Sequence, residues 1–216
     1  MIAVLRYAFL KNMRDGSLAA FILGPVIMLT APLLGVAVFT RDLRVYPLSI
    51  SPQWSAARSA AEMMVPMLFI AALFAALAGF WAFRGEIVSR SMGSLVLALR
   101  PVKIQTATML FGATAGFAGF LCAGISLFAL MNALPPHPLR VLLNAAVLCL
   151  FGGAAGSLTV SISAEPWAII PLYVCGIVVV MWLARTPDLV PILIGLILTV
   201  VCIAVSAFFL ERRCAL

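Results

Sequence analysis

Charge is scarce in this sequence. Of 216 residues only 10% are Asp, Glu, Lys or Arg, against about 25% in an ordinary soluble domain. So few charged groups cannot clothe a core in a solvated surface, which excludes a water-soluble enzyme domain. Polar alternation is lacking too. Apolar residues run on for about 20 positions, the length of a membrane crossing, whereas the strands of an outer-membrane barrel alternate apolar and polar residues. There is one histidine, His137, held in Pro135-Pro136-His137-Pro138. It could ligate a haem or metal outside the membrane, but a polar residue in a proline turn is the expected reading. Without a second histidine, neither a conventional metal cluster nor a Ser-His-Asp set can be assembled. The five cysteines show no CxxC spacing, and four of them (Cys122, Cys149, Cys175, Cys202) lie inside apolar runs, as small buried hydrophobes do. Neither lysine, Lys11 or Lys103, follows a glycine, so the chain has no GxxxxGK[ST] phosphate-binding loop.

What is present is hydrophobic: 65% of the residues. Six apolar stretches stand out, at about 18–39, 62–83, 106–134, 139–162, 167–184 and 189–210. The expected fold is therefore an all-α integral membrane protein of six spans in a single transmembrane domain, 1–216. Pro171 interrupts the short fifth stretch and suggests a kink or a re-entrant segment. Segment 1–17, with Arg6, Lys11 and Arg14, resembles the start of a signal peptide. The apolar stretch after it contains Pro25 and Pro32 without a convincing cleavage site, so a retained first span is expected.

Six spans place both termini on one side. Nine basic residues (Arg6, Lys11, Arg14, Arg84, Arg90, Arg100, Lys103, Arg212, Arg213) fall in that set of segments, and five (Arg41, Arg44, Arg58, Arg140, Arg185) in the other. The positive-inside rule then puts the termini and loop 84–105 in the cytoplasm, in a cell (inner) membrane. The net charge of +7 is spent on orientation, and no nucleic-acid partner is expected. All seven acidic residues lie at span ends or in loops. That argues against an ion-coupled carrier, which commonly places ionisable groups at mid-membrane.

Two segments outside the spans have helical periodicity. In 1–17, Ile2, Leu5, Phe9 and Met13 form a stripe, with Tyr7, Lys11 and Arg14 opposite and Arg6 at the border. An amphipathic helix in the headgroup layer is expected, its cations facing anionic lipid. In loop 84–105, Val88, Met92, Leu95 and Leu99 form a stripe; Arg84, Glu86, Ser89, Arg90, Ser91 and Ser94 supply the polar remainder, and Pro101 closes the segment. Gly112/Gly116 and Gly152/Gly156 both match GxxxG, which permits close helix contact. Packing within one subunit is the expected use, a dimer interface the alternative. Span residues including Thr106, Thr108, Thr114, Ser126, Asn144, Ser157, Thr159 and Ser161 could bond between helices or line a path.

This layout resembles the membrane (permease) subunits of type-2 ABC exporters. Those proteins have a cytoplasmic amphipathic helix, six spans, and a coupling helix between spans two and three. In the family that loop carries an acidic residue, then Gly-Ser/Thr, a hydrophobic stretch and a proline opening the next span. Here Phe83-Arg84-Gly85-Glu86 precedes Gly93-Ser94-Leu95, Leu97, Leu99 and Pro101, with Glu86 set further from Gly93 than in the family's usual pattern. The resemblance implies that Arg84, Glu86, Arg90, Gly93, Ser94 and Pro101 serve ATPase coupling. It further implies a separate ABC ATPase subunit carrying ATP and Mg, no cofactor in this chain, and pairing with a second copy or a homologous permease. The compact build, with Tyr46-Pro47-Leu48-Ser49-Ile50 before the second span, is also similar to the small haem-exporter permeases of cytochrome c maturation. A non-transporting membrane scaffold or assembly factor is the competing expectation, followed by a secondary carrier.

Overall fold

In the computed structural model, the described residues are 2–40, 56–88, 100–131, 138–163, 165 and 190–215. Side chains are described over 2–28, 67–88, 100–126, 138–163, 165 and 192–212. The elements are α1 (Ile2–Arg14), α2 (Ser17–Thr40), α3 (Ala56–Trp81), α4 (Arg84–Val88), α5 (Pro101–Met131), α6 (Pro138–Ile162) and α7 (Val190–Ala215). The described residues contain no strand. Among the described residues four helical stretches, Met67–Val88, Pro101–Ser126, Pro138–Ile162 and Ile192–Arg212, are long and apolar enough to cross a membrane. The first half of α2, Ser17–Met28, is apolar as well, and the whole helix runs 24 residues. The expected fifth span at 167–184 lies outside the described residues, as do Arg90, Gly93, Ser94 and His137.

Proline opens both α5 and α6. It suits the first helical position, because its missing N–H would have no partner there and its φ is already helical. Lys103 N–H bonds back to the Arg100 carbonyl at 2.9 Å, completing the first turn of α5. This helix therefore begins five residues before the span expected at 106. Lys103 and Gln105 lower the local hydropathy and hide the start that Pro101 announces. At the corner between α1 and α2, Gly16 adopts φ 71°, a conformation that side chains disfavour. Its N–H closes the helix onto the Met13 carbonyl at 3.2 Å.

The centre of the bundle is the three-way contact of α3, α5 and α6, and it is made of missing side chains. A Cβ on Gly112 would stand 2.5 Å from the Ala75 carbonyl oxygen, and one on Gly79 2.6 Å from that of Gly153. A Cβ on Gly116 would stand 2.6 Å from Ala75 Cβ, and one on Gly156 2.8 Å from the Phe80 nitrogen. Gly152 faces the Ala72 carbonyl in the same way. Both GxxxG pairs thus face neighbouring helices of their own chain. Where lipid tails are as apolar as leucine, such close backbone approach supplies the dispersion energy that hydrophobicity cannot. Around this seam, Ala71, Ala75, Met67 and Leu68 of α3 are buried with Phe120 of α5 and Ala145, Leu148 and Cys149 of α6.

Candidate functional site

The fold gathers one end of α3, the start of α5 and the ends of α6 and α7 beneath α1. Val4 and Ala8 of α1 share a buried cluster with Phe80, Ala82, Phe83, Ile87, Ile104, Phe111, Val160 and Leu210. Phe9 meets Phe111 edge-on, ring centroids 5.0 Å apart. The packed line along α1 is Val4, Ala8 and Asn12, flanked by Leu5 and Phe9. Of the stripe expected from sequence, Ile2 and Met13 are instead exposed, at 80% and 64%. The helix is rotated because it answers two demands together. Small Ala8 lets it approach the bundle, and buried Asn12 satisfies its own amide by donating to the Ala8 carbonyl at 2.8 Å. Asn12 also accepts from the Ser17 hydroxyl at 2.7 Å, which ties the corner to α2.

The second demand is electrostatic. Lys11 Nζ donates to both carboxylate oxygens of Glu86, at 2.8 and 2.7 Å, and the Tyr7 hydroxyl donates to Glu86 Oε1 at 3.0 Å. The two charged side chains are only 26% and 16% exposed. Tyr7 also stacks on Phe83 at 6.2 Å. Lys11 and Glu86, which the sequence assigned to separate tasks, are thus one contact between α1 and α4. Lys11 faces a carboxylate within the chain instead of lipid headgroups, whereas Arg6 and Arg14 remain exposed, beside exposed Ile2, Leu10 and Met13. Arg84 lies over the Trp81 ring at 5.0 Å and the Phe80 ring at 6.0 Å. Arg212, at the end of α7, covers Phe208 at 4.7 Å. Cations on aromatic faces at helix ends suit a membrane–water boundary. Pro101 sits at the start of α5, one residue after exposed Arg100.

The hydrogen bond to Glu86, then burial, then the Glu86 and Asp15 charges raise the Tyr7 pKa above its ordinary 10.0. The folded state favours the neutral phenol, so this contact is intact below pH 10 and is lost as pH rises through the raised value. With Tyr46 and Tyr173 replaced by phenylalanine, absorbance titration of Tyr7 is expected to end above the free-tyrosine range. Glu86→Gln should move it back toward that range.

A second polar group lies deeper in the same end. Gln105 of α5, Ser157 and Ser161 of α6 and Ser206 of α7 are each at most 2% exposed. Gln105 Nε2 donates to Ser161 Oγ at 2.8 Å, and the Ser161 and Ser206 hydroxyls are 3.0 Å apart. Both hydroxyls also reach the Ser157 carbonyl, at 2.9 and 3.1 Å. Ser157 and Ser161 stood out in the sequence as polar span residues; Gln105 and Ser206 did not. Gln105 sits in what read as a loop, and a single serine in an apolar run is common. Among the described residues the hydroxyls of Thr106, Thr108, Thr114, Ser126 and Thr159 bond back to their own helix. Among the described residues, no group of three or more His, Cys, Asp or Glu could hold a metal. No family model, curated protein or solved structure matches the chain.

Proposed function

We propose that this chain is the permease subunit of an ATP-driven exporter. In this reading it has six spans, with both termini and loop 84–105 in the cytoplasm. It pairs with a second permease and takes its energy from a separate ABC ATPase that binds ATP and Mg. The observation that carries the reading is the Lys11–Glu86 contact. It fastens the N-terminal helix to α4, the first turn of loop 84–105, and α4 follows α3 across only Ala82 and Phe83. A push delivered to that loop would be felt at once by α1 and α3, and through Phe9 and Phe111 by α5. The cluster of Arg6, Lys11, Arg14, Arg84, Arg100, Lys103 and Arg212 toward the same end of the bundle favours that end as cytoplasmic. Arg84, Glu86, Arg90, Gly93, Ser94 and Pro101 are the residues assigned to coupling.

The test is copurification in mild detergent followed by ATPase assay in nanodiscs. The expected result is recovery of a polypeptide with a phosphate-binding loop, whose hydrolysis responds to this chain. Bulk at Gly93 should abolish that response without loss of membrane insertion. Recovery of the chain without an ATPase, in complex with unrelated membrane proteins, would favour the scaffold reading instead.

A further inference from the structure

The Gln105–Ser161–Ser206 group leaves one buried acceptor without a donor among the described residues. Gln105 is 2% exposed, and that acceptor is its Oε1. Among the described residues none of the cluster's hydrogens is directed at that oxygen. The near amide proton of Gln105 goes to Ser161 Oγ. The single protons of Ser161 and Ser206 are divided between the Ser157 carbonyl and each other. Turning the amide over does not help. Oε1 would then accept from Ser161, but the two N–H donors would be orphaned in its place. A buried amide oxygen without a donor forfeits its hydration with nothing in return, and hydrocarbon supplies no donor to relieve it.

We propose that this group binds one neutral hydrogen-bond donor of the size of water, held between α5, α6 and α7. The geometry specifies the chemistry. Among the described residues the group's polar members are an uncharged amide, hydroxyls and a carbonyl, so nothing there compensates an ion. The neighbouring Ile104, Ala107 and Thr108 are themselves at most 2% exposed, so the occupant is small and enclosed. The bound molecule donates one proton to Gln105 Oε1 and its other proton to the Ser206 hydroxyl oxygen, since Ser161 Oγ already accepts from Gln105. It thereby reaches the two to four partners typical of a buried water. The site joins α7 to α5 and α6 through exchangeable hydrogen bonds, unlike the glycine seam that fixes α3, α5 and α6 backbone to backbone. It is independent of the exporter reading.

Gln53 and Gln105 are the only glutamines in the chain, so the site can be observed alone. The full chain carrying Gln53→Ala, labelled with 15N-glutamine and placed in nanodiscs, yields one side-chain amide pair. Cross-relaxation between those protons and a long-lived water is expected. It should persist in Ser161→Ala, which removes the nearest hydroxyl capable of relaying exchange. Absence of the water signal, or its loss in Ser161→Ala, overturns the proposal. Gln105→Met supplies a second measurement. If the carbonyl holds a bound donor, the melting temperature falls, by about 2–4 °C for a chain of this size. An unchanged or higher melting temperature marks the carbonyl as an orphan and overturns the site.

Discussion

A side chain at Gly156 is expected to take the bundle apart. Its Cβ would enter the space of the Ala76 carbonyl and stand 2.8 Å from the Phe80 nitrogen. Both obstacles are backbone of α3, which no rotamer change can move aside. Overpacking an ordinary core costs about 1–3 kcal/mol. Here the helices must separate along their closest line, and the close approaches of Gly79, Gly112, Gly116, Gly152 and Gly153 to their own neighbours loosen with it. Gly156→Val should therefore abolish the monodisperse peak in fluorescence-detected size exclusion, and Gly156→Ala should lower the temperature at which that peak survives. Two other glycines set the scale. Gly195→Ala meets the Val147 side chain at 2.8 Å, and a side chain can turn away, so its cost is smaller. At Gly16 nothing lies within 4 Å of an added Cβ. Alanine there costs only the backbone strain of its positive φ, about 1–2 kcal/mol. If Gly156→Ala melts no earlier than Gly195→Ala, the backbone seam is not what holds α3 between α5 and α6.

That ranking could not be read from the sequence, although the membrane class could. Scarce charge and long apolar runs are properties of the chain alone, and α2, α6 and α7 begin within a residue of the stretches expected at 18, 139 and 189. The GxxxG pairs announced close packing but not with whom. Their partner face on α3 is built of Ala71, Ala72, Ala75, Ala76 and Gly79, and a hydropathy reading counts alanine as merely apolar. α1 shows a different limit. Its periodicity revealed an amphipathic helix, yet Ile2 and Met13 on the apparent apolar face are exposed while Asn12 is 2% exposed. A buried asparagine whose amide is satisfied within its own helix behaves as a small core residue, and composition gives no sign of this. Lys11 and Glu86 are 75 positions apart. Each was visible as a charge in a telling place; only the approach of α1 to α4 makes them a pair.

Charge reversal at Glu86 is the sharper test of that pair, with the larger consequence for activity. In Glu86→Lys, the Lys11 ammonium faces a second ammonium where two charge-assisted bonds stood, and the Tyr7 hydroxyl loses its acceptor. Hydrogen bonds to charged groups are each worth about 1.5–3 kcal/mol, and partial exposure of this pair places it toward the low end of that range. Such a loss is comparable to what holds a 13-residue helix on the bundle, because only Val4, Ala8 and Asn12 of α1 are buried. The expected result is release of α1. A spin label at Ala3, which is exposed, should become mobile relative to one at Arg100, while α3, α5 and α6 keep their packing and the protein still elutes as one peak. If the chain is the exporter permease proposed above, hydrolysis in a preparation containing its ATPase should continue while transport falls at least tenfold. The double variant Lys11→Glu with Glu86→Lys restores opposite charges across the same gap. It should recover the label distance and most of the transport; Lys11→Glu alone should not. Recovery of the distance without transport would confine the pair to holding α1 and give the coupling role at position 86 to the carboxylate itself. Full transport in Glu86→Lys would remove Glu86 from the coupling path altogether.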